Sequence, residues 1–295
     1  IMLLHLSIGS PVNEEFKTLN CRKVIRYHNI TPHRYFELIN RSTAANLKKG
    51  RKQIRSLKDS AEINLADSEF NAAELRQAGY SNVNVLPILL NIKDITSPPD
   101  RKVMKRFNDG KKNILFVGRC APNKKIEDLL YAMACIRLTS DFDARLIHVG
   151  SFAGTERYYH LLLSLQRELG LERHAYFAGS VTQRQLSGFY QSASIFLCMS
   201  EHEGFCIPLL EAMAHRVPVL AYAAGAIPDT MDKAGILFRE KNYPLIAETA
   251  SELILNAKLR NAVLARQHER MHRYLAREIS AELKNHLAPL IAGGH

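Results

Sequence analysis

Two glutamates and a proline lie in one segment at a spacing that suits the binding of a ligand rich in hydroxyl groups. Glu203 and Glu211 flank Pro208 in a Glu-x7-Glu arrangement. The segment follows the apolar run 195–198, which predicts a buried strand. Proline suits the first position of a helix because no amide hydrogen is needed there. A helix over 208–215 would place Glu203 before its start and Glu211 one turn inside it, so both carboxylates could reach a ligand at the helix N-terminus.

The backbone of the same loop predicts an anion site. Between Gly204 and the proline, the residues Phe205, Cys206 and Ile207 would present free amides at the start of the helix. Free N–H groups and the positive end of the helix dipole together attract an anion such as a diphosphate. An acid near a helix start also complements the dipole without any ligand, and a strand–loop–helix corner occurs in every α/β protein. The segment by itself leaves both interpretations open.

A basic turn follows another apolar run, 113–117. Gly118 permits a tight turn at the strand end. Arg119 and Lys124 then leave the carboxyl end of that strand, which is the ligand side of a parallel sheet. Two fixed cations there could clamp a diphosphate and stabilise the negative charge that builds as it departs. On their own, an Arg and a Lys at this spacing are more typical of a solvated basic turn.

The basic stretch from Lys48 to Lys58 fits either a membrane surface or solvent. At helical spacing, Leu47, Ile54 and Leu57 form a narrow apolar stripe, and cations cover the rest. Such a face can rest on anionic lipid, where each surface cation contributes on the order of 1 kcal/mol. A helix that packs its stripe on the sheet explains the pattern equally well, because no Trp or Phe is present to anchor it in lipid.

Neither metal chemistry nor a disulfide framework is predicted. Asp141 and Asp143 form an Asp-x-Asp pair, but they precede a predicted strand instead of ending one, which is typical of a surface turn. We therefore expect no catalytic metal. The five cysteines include no C-x-x-C pair, so neither a zinc knuckle nor a disulfide scaffold is indicated, and a reducing cytosol is expected.

Short apolar runs alternate with longer amphipathic stretches, which predicts parallel α/β layers. The predicted strands are 1–5, 23–28, 63–66, 83–87, 113–117, 145–149, 175–178, 195–198, 217–222 and 235–238. The predicted helices include 46–60, 71–78, 126–137, 158–169, 183–192 and 208–215, and helix runs from about 245 to a tail at 292–294.

Two prolines at 98 and 99 predict a linker between two lobes. A basic, polar stretch follows the linker as far as Lys112. We therefore predict a partial first lobe at 1–97, a complete doubly wound lobe at 98–274, and a C-terminal helix at 275–295 that crosses back to the first lobe. A ligand would lie between the lobes, outside the carboxyl ends of the strands.

Composition excludes several classes of protein. Hydrophobic residues make up 46% and charged residues 23% of 295 residues, so a disordered or fibrous chain is excluded. No apolar stretch approaches the roughly 18 residues of a membrane-spanning helix. The net charge of +11 favours an anionic partner, but no recognition helix, stacking aromatic or zinc pattern points to nucleic acid. No G-x-G-x-x-G follows a strand, which argues against a dinucleotide-dependent oxidoreductase.

Taken together, several ordered motifs resemble those of the family 4 glycosyltransferases, a retaining group with the GT-B fold. The resemblance is close over roughly 113–239 and weaker in the first third. It implies an α/β protein with two Rossmann-like, doubly wound lobes that face a cleft, the N-terminal lobe being incomplete. The lobe at 1–97 would then be the acceptor side, and the lobe at 98–274 would bind the nucleotide sugar. The motifs that carry it are Gly118-Arg119 with Lys124, 146–150, 179–181, 189–193, 200–218 with its Glu-x7-Glu spacing, and 225–228.

The resemblance also implies roles for residues on the donor side. Arg119 and Lys124, with Gly118 beside them, would bind the donor diphosphate. Glu211 would hold the ribose hydroxyls, and Glu203 would hold the donor sugar. The remaining donor contacts would come from the backbone, at Val181 for the base and at Gly204, Phe205, Cys206 and Ile207 for the sugar and phosphate.

On the acceptor side, the resemblance singles out the ends of two early strands. His28 would face the donor sugar and is the predicted acceptor-side catalytic residue, alongside Glu203, Arg119 and Lys124 on the donor side. His5, Ser7 and Gly9 would line the same cleft, and Ser68 occupies a recurrent family position near it. A hydrogen-bonded residue at a strand end is the alternative interpretation of each histidine.

The sequence departs from the family pattern in two residues and at its start. Cys206 and Lys125 stand where the family usually has Gly. Only the backbone is needed at 206, whereas Lys125 adds positive charge beside the phosphates. The family's first lobe opens with βα units that precede the segment matched by Ile1, and we expect such residues upstream.

The resemblance predicts a retaining, metal-independent hexosyltransferase that needs no cofactor. It would move a mannose- or glucose-type sugar from a GDP- or UDP-linked donor to a glycan or lipid-linked acceptor, in bacterial cell-envelope polysaccharide or lipopolysaccharide synthesis. Its expected location is cytoplasmic, peripheral on the inner face of the membrane. The alternative is a nucleotide-sugar-binding subunit or degenerate paralogue that is inactive without a missing N-terminal segment or a partner.

Overall fold

The computed structural model describes residues 1–292. The positions 293–295, which end the predicted C-terminal segment and include part of its predicted tail, lie outside the described residues. Two parallel β-sheets form the framework, and helices pack against them. Among residues 1–292, no helix combines the length and apolarity needed to cross a lipid bilayer.

The first sheet has four parallel strands in the order β1-β2-β3-β4. Its register pairs Leu6 with Tyr27 and Tyr27 with Ala66, so the carboxyl ends of three strands meet at one edge. The loops that follow these strands are therefore neighbours, and one of them begins with His28. The elements of this part of the chain are β1 (Met2–Leu6), α1 (Pro11–Thr18), β2 (Lys23–Tyr27), α2 (Arg41–Ser56), β3 (Ile63–Ala66), α3 (Glu69–Gln77), β4 (Val83–Val85) and α4 (Ile92–Ile95).

The second sheet has six parallel strands in the order β10-β9-β8-β5-β6-β7. Its strands are β5 (Lys112–Val117), β6 (Ala144–Val149), β7 (Ala175–Gly179), β8 (Ile195–Cys198), β9 (Val219–Tyr222) and β10 (Ile236–Phe238). The order reverses where β5 pairs with β8, and ligands bind at such a switch point in doubly wound sheets. The loops after β5 and β8, which carry the two predicted donor motifs, therefore start side by side.

Helices of the second part connect these strands and then run to the end of the described chain. The buried strands β5 and β8 are packed between them, with Phe116 and Phe196 fully buried. The helices are α5 (Arg101–Phe107), α6 (Ile126–Thr139), α7 (Glu156–Glu168), α8 (Gln183–Ser192), α9 (Ile207–Ala214), α10 (Ile227–Met231), α11 (Tyr243–Leu255), α12 (Ala257–Leu275) and α13 (Ile279–Ala292).

The predicted fold, two parallel α/β lobes of which the first has four strands, is confirmed. The predicted bounds of the helix at 46–60 are wrong, because α2 starts at Arg41 and ends at Ser56. The cause is local: the Asn40 side chain accepts a hydrogen bond from the Thr43 amide and starts the helix early. The polar stretch before Lys112 also contains α5, which the sequence pattern does not predict.

The last helix, α13, lies beside the first sheet. Ile63 and Asn84 of the sheet and His286 and Leu290 of the helix line a shared cavity of about 360 Å³. The Tyr274 hydroxyl at the end of α12 also donates to the Ile88 carbonyl of the first part. The boundaries 1–97, 98–274 and 275–295 stay predictions.

Candidate functional site

Two loops form the centre of the site, one after β5 and one after β8. The Glu201 amide donates to the Asn123 carbonyl at 2.9 Å. The Asn123 side-chain amide in turn donates to the His202 carbonyl at 3.0 Å. These bonds hold the basic turn 118–125 against the loop 199–206, so Lys124 and Glu203 meet although they are far apart in sequence.

Lys124 and Glu203 form a largely buried ion pair. The Lys124 Nζ atom lies 2.6 Å from Glu203 Oε2, and the two side chains are only 20% and 9% exposed. Burial opposes the charge of the Lys124 ammonium, but the neighbouring Glu203 carboxylate outweighs this and raises the pKa of Lys124. The Ala226 amide donates to the Glu203 carbonyl at 2.9 Å and fixes its backbone. The Lys124 ammonium therefore keeps its charge at neutral pH.

The start of α9 lies in the same loop. Cys206 precedes the helix with φ 69° and ψ 64°, in the left-handed region, and Pro208 follows in the first turn. Within residues 1–292, no side chain hydrogen-bonds to cap this helix start. The predicted anion site at the amides around Cys206 and Ile207 thus has the geometry of a free helix N-terminus next to the Lys124 ammonium.

Glu211 lies on α9 and contacts Tyr190 of α8. The Tyr190 hydroxyl donates to Glu211 Oε2 at 2.8 Å. The Tyr190 ring stacks on the His215 ring, with the two centroids 5.0 Å apart. Burial raises the pKa of Glu211, and the Tyr190 hydrogen bond partly opposes that shift. Tyr190 belongs to a motif that the sequence analysis used for the resemblance, but its role beside Glu211 required the fold.

Arg119, the other cation of the predicted clamp, bonds to a different loop from Lys124. Its exposed guanidinium donates to the Ala153 carbonyl at 3.0 Å, in the loop between β6 and α7. The preceding Gly118 carbonyl contacts His148 Nε2 at 2.9 Å. Burial lowers the pKa of His148 to about 4, so its imidazole is neutral and can donate this bond. The two cations of the predicted clamp thus have different partners: Lys124 bonds to the Glu203 carboxylate, and Arg119 bonds to the Ala153 carbonyl.

Val181, the predicted contact of the base, follows β7. It lines a cavity of about 280 Å³ together with Tyr176, Val103 and Phe189. This cavity lies between α5, α8 and the end of β7, so α5 contributes to the wall beside the predicted base contact.

At the edge of the first sheet, His5, His28 and Asp67 form a chain of hydrogen bonds. His28 Nδ1 lies 2.6 Å from Asp67 Oδ2, and His28 Nε2 lies 2.7 Å from His5 Nδ1. When His28 donates from Nδ1 to the carboxylate and accepts at Nε2, its partner His5 donates from Nδ1. Burial lowers the pKa of His5. Sequence analysis placed both histidines at the same cleft but missed Asp67, which follows β3.

The other two residues predicted for the acceptor side, Ser7 and Gly9, have different surroundings. Ser7 is exposed just past the end of β1. Gly9 packs against α2, where its amide donates to the Asn46 carbonyl at 3.1 Å. A Cβ atom at Gly9 would lie 2.3 Å from that carbonyl oxygen, so the contact itself requires glycine.

The two lobes meet directly at Gly204. The Ser68 hydroxyl donates to the Gly204 carbonyl at 2.8 Å. His202 Nε2 lies 2.5 Å from Asn29 Oδ1, and burial lowers the pKa of His202 to about 4. The loop after β8, which carries the predicted donor residues, therefore lies against the loop after β2, which begins with His28.

The apolar stripe of the basic helix faces inward. Leu47, Ile54 and Leu57 are all buried in the core of the first lobe. This finding supports packing on the sheet over insertion into lipid. The cations stay on the surface, where Lys48, Arg51, Lys52 and Arg55 line a cavity of about 410 Å³ with Glu74 and His33.

Comparisons with known proteins agree with this architecture. A family model described as "Glycosyl transferases group 1" matches residues 97–268. An uncharacterized glycosyltransferase of Methanocaldococcus jannaschii is 36% identical over 141 residues, which are 47% of this chain and 35% of that protein. A GDP-mannose-dependent alpha-mannosyltransferase of Mycolicibacterium smegmatis is 31% identical over 161 residues, which are 54% of this chain and 39% of that protein. The chain thus spans less than half the length of these relatives.

Solved structures share the fold across most of the chain. The sucrose-phosphate synthase of Thermosynechococcus elongatus superposes with a TM-score of 0.80 at 20% identity, covering 99% of this chain and 74% of that one. Anabaena HepE in complex with UDP and glucose superposes with a TM-score of 0.74 at 18% identity, covering 91% and 72%.

Proposed function

The chain belongs to the family of group 1 glycosyl transferases, and from this premise we propose that it is a retaining hexosyltransferase. The proposed reaction moves a mannose- or glucose-type sugar from a nucleoside-diphosphate donor to a hydroxyl group of a glycan or lipid-linked acceptor. The observation that carries the proposal is the buried Lys124–Glu203 pair at the uncapped start of α9.

The donor diphosphate would lie at the N-terminus of α9. The amides there, the Lys124 ammonium and the Arg119 guanidinium would balance the charge that develops on the leaving diphosphate. Reaching that position requires Arg119 to exchange its bond to the Ala153 carbonyl for one to phosphate. Glu203 would orient the sugar, and Glu211 would accept hydrogen bonds from the ribose hydroxyls.

The acceptor would approach from the first lobe. Its hydroxyl attacks the anomeric carbon from the face that the leaving group vacates, which retains the configuration. His28, held by Asp67, would face the donor sugar, and His5 lies beside it. We propose that these two histidines line the acceptor side of the cleft.

The nature of the donor and acceptor is proposed from the relatives. The Mycolicibacterium relative is named for GDP-mannose, and Anabaena HepE was crystallised with UDP and glucose, so we propose a GDP- or UDP-linked hexose. The proposed setting is cell-envelope polysaccharide or lipopolysaccharide synthesis. Contact with anionic lipid would use the surface cations of α2 between Lys48 and Lys58, because the apolar stripe of that helix is buried.

The donor site is tested by calorimetry with GDP- and UDP-linked sugars. Lys124→Ala and Glu211→Ala should each weaken donor binding by roughly 1–3 kcal/mol, since each removes a buried charged contact. Lys105→Ala, on an exposed face of α5, is the control and should bind as the wild type does. Unchanged affinity in both site variants would overturn the assigned site.

Turnover separates the two candidate functions and tests the absence of a metal requirement. Sugar transfer should persist in the presence of a chelator, because the protein itself supplies the positive charge at the diphosphate. A strict need for Mn²⁺ or Mg²⁺ would contradict this mechanism. Donor binding without any transfer would instead favour the nucleotide-sugar-binding subunit.

A further inference from the structure

Two cysteines and a glutamate converge at the start of α9. Cys198 ends β8, Cys206 precedes α9, and Glu203 lies in the loop between them. The two Sγ atoms and a Glu203 carboxylate oxygen all lie within 4.8 Å of one another. The three residues are buried, with 0%, 7% and 8% of their surface exposed. The proposed transfer reaction gives neither thiol a role.

We propose that Cys198, Cys206 and Glu203 form a binding site for a thiophilic divalent cation of the zinc type, and that the bound ion blocks the donor site. That the ion blocks the donor site, the blocking half of this inference, rests on the proposed function. That the ion binds at all depends only on the three side chains.

The geometry of the cluster suits this class of ion. Zinc binds cysteine sulfur at about 2.3 Å and carboxylate oxygen at about 2.0–2.2 Å in a tetrahedral arrangement. Donor atoms around one such ion are therefore about 4 Å apart, and the three atoms here are already within 4.8 Å. Two sulfur donors favour zinc over magnesium or calcium, which prefer oxygen ligands. Three protein ligands leave one position open, as in zinc sites that also hold water.

The electrostatics also permit an ion in this buried place. With two neutral thiols, the Glu203 carboxylate and the Lys124 ammonium, the cluster has no net charge. Binding forms two metal–sulfur bonds and one metal–oxygen bond, and two thiol protons leave to solvent. The dication, two thiolates, one carboxylate and one ammonium again sum to zero. The exchange therefore adds no net charge to the interior, which avoids the main cost of burying an ion.

The consequence for the donor follows from the shared carboxylate. Glu203 Oε2 now bonds to Lys124 at 2.6 Å. An ion that draws this carboxylate toward the sulfur atoms would take it from Lys124 and from the proposed sugar position. Cys206 itself precedes the amides proposed to hold the diphosphate. Metal and donor should therefore compete.

The metal site is tested with Co²⁺, which occupies zinc sites and shows sulfur-to-cobalt charge-transfer absorption in the near ultraviolet. Reduced, metal-free, full-length protein is titrated with Co²⁺ alone. The wild type should develop this absorption at one ion per chain. Cys206→Gly should weaken Co²⁺ binding by on the order of 100-fold or more, because a direct ligand is lost. Glycine adopts the backbone conformation of position 206 without strain, so this variant is expected to fold.

Two further variants complete the test. Cys198→Ser should likewise weaken Co²⁺ binding, with folding checked by thermal unfolding. Cys135→Ala removes a half-buried cysteine of α6 outside the cluster and should leave the titration unchanged. An absent band in the wild type, or Co²⁺ binding by Cys206→Gly as tight as that of the wild type, overturns the metal site.

Competition is measured separately by donor calorimetry with and without Zn²⁺. Zn²⁺ should weaken donor binding to the wild type and to Cys135→Ala, and a chelator should restore it. Donor affinity that Zn²⁺ leaves unchanged, in a protein that shows the cobalt band, overturns the blocking half. A metal-free wild type that binds no nucleotide sugar would instead count against the proposed function, because the cobalt band does not depend on the donor.

Discussion

At the scale of single residues, the Lys124–Glu203 pair makes a prediction about stability. Lys124→Met should lower the free energy of unfolding by about 3 kcal/mol, because it leaves the Glu203 carboxylate buried without its partner. The double variant Lys124→Met/Glu203→Gln should recover most of that loss, since no charge is then buried alone. Urea unfolding of the wild type, both single variants and the double variant measures this. Additive losses in the double variant would show that the two side chains are not coupled.

Lys125 gives a second prediction, based on backbone conformation. It adopts φ 53° and ψ 53°, which costs a non-glycine residue about 1 kcal/mol or slightly more. Lys125→Gly should therefore raise the free energy of unfolding by about 0.5–1 kcal/mol, even though the ion pair with Glu127 at 3.2 Å is lost. Lys125→Ala is the matched control and should not be stabilising, because alanine loses the ion pair and keeps the strain. Equal effects of glycine and alanine would refute the conformational cause.

The raised pKa of Glu211 predicts a pH dependence with a defined sign. The folded state binds the Glu211 proton more tightly than the unfolded state, whose carboxyl titrates near its ordinary value of 4.5. This residue therefore contributes stability below pH 4.5, and that contribution is lost as the pH rises through the raised pKa. Glu211→Gln keeps an oxygen to accept from Tyr190 and has no such loss.

Thermal unfolding from pH 4 to pH 8 tests this expectation. Relative to the wild type, Glu211→Gln should gain stability as the pH rises above 4.5. A difference between the two proteins that is independent of pH would contradict the assignment.

At the scale of elements, the contact between α2 and the loop after β1 depends on two glycines. A Cβ atom at Gly50 would lie 2.5 Å from the Gly9 amide nitrogen and 2.9 Å from the Ile8 carbonyl carbon. In an open helix, Gly→Ala stabilises by about 1 kcal/mol. Here Gly50→Ala should instead lower the free energy of unfolding by roughly 1–3 kcal/mol, because neither backbone can yield. Lys52→Ala, exposed on the same helix, is the control for urea unfolding, and a stabilising Gly50→Ala would refute the close packing.

The elements also show what a sequence can and cannot predict. β3, β8 and α8 coincide with the predicted bounds, because their apolar runs or their helical periodicity begin and end sharply. The prediction missed α5, a short and strongly basic helix. Its order comes from Asp100, which caps it, and from Val103 and Phe107, which are buried in tertiary contacts.

The candidate site also has features that the sequence predicts and features that it does not. The spacing of Glu203 and Pro208 predicted the uncapped start of α9, since both lie within one local segment. The family resemblance assigned Lys124 and Glu203 to the same donor site, but it did not predict the ion pair between them. The link from His28 to Asp67 and the turn of Arg119 toward Ala153 depend on how separate strands align, and a single sequence does not record that register.

At the scale of the whole molecule, Gly204 sets how closely the lobes approach. A Cβ atom there would lie 2.6 Å from the Asn29 Cβ atom and 2.7 Å from the His28 carbonyl oxygen. Gly204→Ala should therefore hold the lobes apart, which increases the radius of gyration in small-angle X-ray scattering and weakens donor binding. Ser68→Ala, which removes one hydrogen bond across the same contact but adds no atoms, is the matched control. An unchanged radius in Gly204→Ala would show that the loops adjust locally.

The return of α13 to the first sheet affects the order in which the protein is made. Translation produces the four described strands of that sheet before the second lobe, yet the helix beside β3 and β4 is synthesised after both. In a nascent chain, β3 and β4 therefore wait for this helix while the six strands of the second sheet have already been made. On the ribosome, the second sheet can assemble before α13 reaches the first one.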